Sequence, residues 1–255
     1  MTKEIVEEIG ENGIVVLSLN RPERRNALSI SMMRAMVDRL EYLAQNPAFR
    51  VVILRGNGPV FCAGLDLAEA SNPSLVHESA QCVAATLRTL RYTPLVTIAA
   101  VHGGAYAGGA GVLAACDMAI GSTQLQIAFP EARRGLLPAL IMDVLRTKIR
   151  EGDLAELFLV GNPIDAHRAL QIGLLQRIVS QEILIDTAKE LAAGILAGGP
   201  LTIRDTKELL HRSYDANHAT DHSSIEDHLK ARNSDEAQEG LKAFLEKRQP
   251  NWYQL

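Results

Sequence analysis

The 255-residue chain carries 26 Lys+Arg against 30 Asp+Glu, a formal charge of −4, and 47% of it is apolar. That is chain enough for a large core, and the slightly acidic balance gives no electrostatic reason to bind nucleic acid. No apolar run approaches the roughly eighteen residues of a membrane span, the charged start Met1 to Gly10 lacks an apolar signal core, and three cysteines without C-x-x-C spacing fit buried thiols, so a cytoplasmic location is expected.

In chain order, Ile5 to Ile9 and Ile14 to Leu19 flank a Gly-Glu-Asn-Gly turn and predict a β-hairpin. A polar loop with Arg24 and Arg25 follows. Ser29 then caps a helix whose apolar residues Ile30, Met33, Met36, Val37, Leu40 and Leu43 recur at helical spacing. Val51 to Leu54 predicts a buried strand, and Val60 to Leu67 a second strand-to-loop passage. Leu75 to Leu90 predicts a helix, and the β-branched run Val96 to Val101 a central strand. A short buried helix over Val112 to Ala115 and short strands at Met118 to Ile120 and Leu125 to Ala128 come next. Pro130 is placed to open a brief helix. Pro138 to Arg150 and Asp153 to Val160 predict helices, Asp165 caps Ala166 to Ile172, and Leu174 to Val179 predicts a last strand. Beyond it the pattern is helical throughout: Gln181 to Leu196, Pro200 to Tyr214, Ser224 to Ala231 and Ser234 to Arg248. Strands alternating with helices argue for an α/β fold with parallel pairing.

The stretch His102 to Gly111 has glycines at 103, 104, 108, 109 and 111 between a strand and a helix. Such a turn places backbone N–H groups where a negative atom can approach closely. Gly109-x-Gly111-x-x-Ala114 fits the dinucleotide fingerprint, but it lies far into the chain without the acidic residue expected about twenty positions later. Tight strand–helix packing would also use glycines. The third reading is an oxyanion hole, which needs a second donor from elsewhere.

The following motifs occur in order: Arg-Pro-(x)3-Asn-Ala-Leu at 21–28, Phe-Cys-Ala-Gly-x-Asp-Leu at 61–67, Gly-(x)3-Gly-Gly-x-Gly at 104–111, Cys-Asp at 116–117, Pro-Glu-(x)3-Gly-Leu at 130–136, and a closing Gly-Leu-Lys-Ala-Phe-Leu-Glu-Lys-Arg at 240–248. Together they resemble the enoyl-CoA hydratase/isomerase (crotonase) superfamily across nearly the whole chain. The resemblance implies a ββα spiral core over residues 1–195. It also implies a helical region over 196–255 that builds a homotrimer or homohexamer. The substrate implied is an acyl-CoA thioester, with coenzyme A part of the substrate, no separate cofactor and no metal, and with neither nucleic acid nor membrane as a partner.

By motif position the oxyanion amides fall on Leu65 and Gly108, and the acid/base carboxylate on Glu131. Substrate contacts fall on Arg25, Ala27, Ala63, Gly64, Asp66 and Gly111, with Arg25 and its neighbour Arg24 suited to coenzyme A phosphates. The role of Glu131 demands an apolar surround, which Phe129, Leu136 and Leu137 are placed to give; Arg133 and Arg134 would oppose it if they pointed inward. Phe244 and Lys247 would reach towards a neighbouring subunit. Tyr106 is a candidate for the acyl pocket, for the core or for a lid. The pocket walls are expected from the Ala68 to Leu90 segment and parts of 129–145. His102 reads as structural, Cys62 and Cys116 as packing residues, and the group His218, Asp221, His222, His228 as a solvated face rather than a metal site.

One departure is informative. Family hydratases carry a first glutamate where this chain has Gly111. The segment from Pro130 to Ile141 resembles hydratases of methylglutaconyl-type thioesters, some of which also lack it. The expectation is therefore a lyase adding water to an α,β-unsaturated acyl-CoA, or removing it. The alternatives are a Δ3,Δ2-enoyl-CoA isomerase with Glu131 as sole acid/base, and a non-catalytic acyl-CoA- or RNA-binding paralogue.

Overall fold

Both faces of the main sheet are buried at its centre, which is why its central strands are nearly unbroken apolar runs rather than alternating ones. The computed structural model describes residues 4–70, 72–134, 136–215 and 234–252. The main sheet has strand order β1-β2-β3-β4-β6-β9: β1 (Ile5–Ile9), β2 (Ile14–Leu19), β3 (Val51–Gly56), β4 (Val96–Val101), β6 (Met118–Ser122) and β9 (Arg177–Val179). Only the β1–β2 hairpin is antiparallel. Val52, Leu54, Ala99 and Val101 face one core, shared with α1 (Ile30–Ala44), α3 (Val76–Tyr92) and α4 (Gly108–Ala115). Val51, Ile53, Ile98 and Ala100 face the other, covered by Leu184, Ala188 and Ala192 of α8 (Leu184–Leu196).

A smaller sheet, in order β5-β7-β8, joins β5 (Gly104–Tyr106), β7 (Gln126–Ala128) and β8 (Ile164–Asp165). Cys62 bridges to Ala105 beside it. Successive turns therefore place one segment in each sheet and then a helix: β3, Cys62, α3; β4, β5, α4; β6, β7, then α5 (Ala139–Leu145) and α6 (Glu151–Val160). This is the α/β ββα spiral anticipated from the motifs.

The start of α1 is fixed as its sequence suggests, by Ser29 Oγ accepting from Met32 N at 3.1 Å. Asp165 likewise caps α7 (Ala166–Gln171), its Oδ1 accepting from Arg168 N at 2.8 Å. Several details differ from expectation. β5 forms inside the glycine stretch, and α4 begins at Gly108 rather than near Val112. Glycine's poor helix propensity is overridden because α4 is wholly buried: a Cβ at Gly109 would stand 2.6 Å from Cys62 O. Residues 60–66 form bridges rather than a strand, and Leu67–Ala70 is a short helix, α2. The turn after Pro130 is a single 3-10 turn, Ala132–Arg134.

α9 (Pro200–Asp215) is pinned to the body by Lys207, whose Nζ donates to Leu95 O at 2.7 Å and to Asp117 Oδ2 at 2.8 Å. α10 (Asp235–Leu245) follows. The helix expected at Ser224 to Ala231 and the histidine group from His218 to His228 lie outside the described residues. Among those described, no helix is long and apolar enough to cross a membrane.

Candidate active site

Two turns from distant parts of the chain meet at one cleft. In the first, Leu65 pairs with Leu28 as a parallel bridge: Leu28 N donates to Gly64 O at 2.8 Å and Asp66 N to Leu28 O at 3.0 Å. Because N–H groups alternate sides along an extended segment, the Leu65 N–H points away from Leu28. Gly64 makes this bend possible, at φ +92° with room for no side chain; a Cβ would stand 2.8 Å from Tyr106 O. In the second turn, Ala107 sits at φ 49°, ψ −120°, a strained conformation for a residue with a Cβ. It leads directly into Gly108, the first residue of α4, whose N–H has no acceptor within the helix. A Cβ built on Gly108 would lie 4.0 Å from Leu65 N, so the two turns bring Leu65 and Gly108 close together. Among the described residues neither donates to a backbone oxygen.

Both residues line a cleft of about 600 Å³ that also holds Ala27, Ala63, Asp66 and Glu131. Glu131 follows Pro130 at the end of the strand-to-turn passage from β7. Its carbonyl accepts from Leu136 N at 3.0 Å and its Oε2 is shielded from solvent. Leu136, Leu137 and Ile141 form apolar wall on the same cleft. Arg133 turns away, donating to Val160 O at 2.9 Å and to Asn162 Oδ1, so it does not stand against the carboxylate within the cleft. Backbone N–H donors on a cleft, beside the half-buried carboxylate of Glu131, can polarise a carbonyl and move a proton on a neighbouring carbon.

The enoyl-CoA hydratase/isomerase family profile matches residues 9–255. The chain belongs to the enoyl-CoA hydratase/isomerase family. It is 32% identical to the mitochondrial enoyl-CoA hydratase domain-containing protein 3 of Danio rerio, over 95% of this chain and 85% of that one. It is 31% identical to the mevalonyl-coenzyme A hydratase sidH of Aspergillus fumigatus, over 94% and 91%. The crystal structure of an enoyl-CoA hydratase from Mycobacterium smegmatis superposes with a TM-score of 0.92 at 28% identity, covering 99% of this chain and all of that one (100%).

Within this crotonase framework the other expected site residues separate into two groups. Arg24 and Arg25 are exposed at the cleft mouth with Glu23. Asp66 lines the cleft, yet its carboxylate is engaged: Oδ2 accepts from Arg21 Nη2 at 3.0 Å and Oδ1 from Ala68 N at 3.1 Å. Gly64 lies behind Leu65. Gly111 is one turn into α4 and does not line the cleft, because Ile141 covers it; a Cβ there would meet Ile141 Cγ2 at 2.5 Å. Phe129, expected as part of the wall around Glu131, is instead fully buried against Phe158, ring centroids 5.3 Å apart. Tyr106 folds its ring over Gly104 and is not part of the cleft wall. The side chains of Arg134 and Phe244 lie outside the described residues, and Lys247 is exposed beyond α10.

His102 is structural, its Nε2 2.8 Å from Gly58 O. Burial pushes the Cys62 and Cys116 thiols up to about 12, which makes them inert packing residues. Two residues that sequence reasoning left without a role hold the site together. Asn26 is fully buried, accepting from Arg21 N at 2.9 Å and donating to Asn57 O at 2.8 Å and Val60 O at 3.0 Å. Arg21 donates to Ala27 O at 2.7 Å as well as to Asp66. A fixed polar residue inside an ordered motif, Asn26 in Arg-Pro-(x)3-Asn-Ala-Leu, is the signal in the sequence.

Proposed function

We propose that the protein hydrates an α,β-unsaturated acyl-CoA thioester, or dehydrates the corresponding 3-hydroxyacyl thioester. The observation that carries this reading is the meeting of Leu65 and Gly108 on the cleft that holds Glu131. The thioester oxygen sits between the amides, which favours electron flow from C3 towards the carbonyl. Water adds at C3 as the Glu131 carboxylate takes its proton; the resulting carboxylic acid returns that proton to C2, and the enolate collapses to the thioester. Arg24 and Arg25 at the mouth hold the phosphates of coenzyme A. The region from residue 196 onward assembles three or six copies.

A second reading is favoured by Ile141 over Gly111, which puts hydrocarbon where a second water-holding carboxylate would stand. Glu131 would then remove a proton from C2 of a 3-enoyl thioester and return it to C4, moving the double bond into conjugation. Purified protein given crotonyl-CoA and then a 3-enoyl-CoA distinguishes the two by absorbance of the conjugated thioester. Loss of crotonyl absorbance supports hydration; turnover of the 3-enoyl thioester alone supports isomerisation. Thioester binding without turnover of either would identify a non-catalytic relative.

A further inference from the structure

The backbone of Ala107 stands at φ 49°, ψ −120°, outside the regions that a residue with a Cβ occupies at ease. Glycine takes such a conformation freely. At two nearby bends of positive φ the chain does carry glycine, Gly64 at +92° and Gly103 at +63°. Position 107 carries a methyl instead, at a cost in stability. Ala107 is half-buried, lines the catalytic cleft, and sets its methyl against the other turn of the site: a Cβ on Gly64 would stand 3.3 Å from the Ala107 Cβ.

Ala107 therefore touches both peptides on which the carbonyl seat depends. Its own carbonyl belongs to the peptide that carries the Gly108 N–H, and its methyl faces Gly64, whose peptide carries the Leu65 N–H. The backbone is tied on either side. Ala107 N donates to Ala128 O of β7 at 2.9 Å, and Ala107 O accepts from Gly111 N of α4 at 3.0 Å. The peptide is trans, so the Gly108 N–H points opposite to that carbonyl, away from the body of α4. The dihedral angles at Ala107 thus fix the direction of one donor, and its Cβ fixes the approach of the turn that bears the other.

We infer that Ala107 is a positioning residue for the thioester carbonyl. Its methyl is the spacer between the Gly64–Leu65 turn and the start of α4, and the strained backbone is the cost of that spacing. The inference rests on the acyl-CoA reading above and goes beyond it in naming the residue that sets the geometry of the carbonyl seat. Without the methyl, the backbone at position 107 gains the freedom of glycine and the two turns lose their fixed separation.

The test compares Ala107→Gly and Ala107→Ser in the full chain. Three readings are taken: thermal unfolding, turnover of the enoyl thioester that the wild type converts, and difference infrared spectra of bound butanoyl-CoA with ¹³C at the carbonyl. Ala107→Gly relieves the strain, so its thermal midpoint should rise by about 2–4 °C. Its kcat should nonetheless fall at least about tenfold with KM within about threefold, because a misaimed donor is missed most in the transition state. The bound carbonyl stretch should move back towards that of free thioester. Ala107→Ser keeps the Cβ and should bring kcat back to within about threefold of wild type, with the wild-type carbonyl stretch. Wild-type kcat and carbonyl stretch in Ala107→Gly would overturn the inference and leave the acyl-CoA reading intact. A thermal midpoint that falls together with kcat would make the methyl a packing atom and overturn it as well. Failure of the wild-type protein to bind any thioester would overturn both.

Discussion

Among the described residues Glu131 has no substitute in the cleft: Asp66 is held by Arg21 and by the start of α2, and Glu23 is exposed at the mouth. Glu131→Gln keeps the shape and removes the proton-transfer capacity. Its turnover should fall by about 10²–10⁴ while acyl-CoA affinity and the thermal midpoint stay near wild type. Gly111 makes a different prediction, about packing. Gly111→Ala forces a methyl against Ile141 and should cost about 1–3 kcal/mol in urea unfolding. Combining it with Ile141→Ala should be less destabilising than the sum of the two single changes, since the second removes the atoms the first collides with. At this scale the ordered motifs, through the family resemblance, named Leu65, Gly108 and Glu131 as candidates, and the structure sets all three on one cleft. The place of Phe129 was not legible. A phenylalanine two residues before a candidate acid/base glutamate reads equally as pocket wall or core, and only the packing partner Phe158 decides it.

Helices and strands were legible where periodicity was strong, as in α1, α3 and β4. They were obscured where glycine served tertiary contact rather than local propensity, as in β5 and the first turn of α4. What joins elements is polar and lies far apart in sequence. Arg21 ties the 21–28 loop to Asp66 and, through Nε at 3.1 Å, to Glu4. Arg21→Lys cannot reproduce that fork of donors and should cost about 2 kcal/mol in unfolding, with weaker thioester binding. Asp117 joins β4, β6 and α9. Burial pushes its carboxyl up, but His211 and Lys207 on α9 and the donors of Thr97 outweigh this and hold it below the ordinary value of 3.8. Lys207 at 2.8 Å is the close partner; His211 Nε2, at 3.6 Å, acts through its charge when protonated. A depressed folded-state value means the stabilisation is complete above the unfolded value near 3.8 and is lost as pH falls through the lower folded one. Asp117→Asn should therefore flatten the acid limb of a stability–pH profile. Lys207→Met, which strands the carboxylate, should cost about 3–5 kcal/mol near neutral pH.

Over the whole molecule, two buried faces on one sheet explain a body that needs α8 on one side and the spiral's helices on the other. The proposed trimer or hexamer belongs to this scale. Sedimentation equilibrium should return three or six times the chain mass, and a monomer at micromolar concentration would contradict it. The account as a whole depends on a thioester carbonyl polarised by the Leu65 and Gly108 amides. Difference infrared spectroscopy of a bound acyl-CoA, with ¹³C at the thioester carbonyl, reads that polarisation directly. The account predicts a carbonyl stretch shifted to lower wavenumber than in free thioester, retained in Glu131→Gln. A bound thioester whose carbonyl vibrates as it does in water would contradict it.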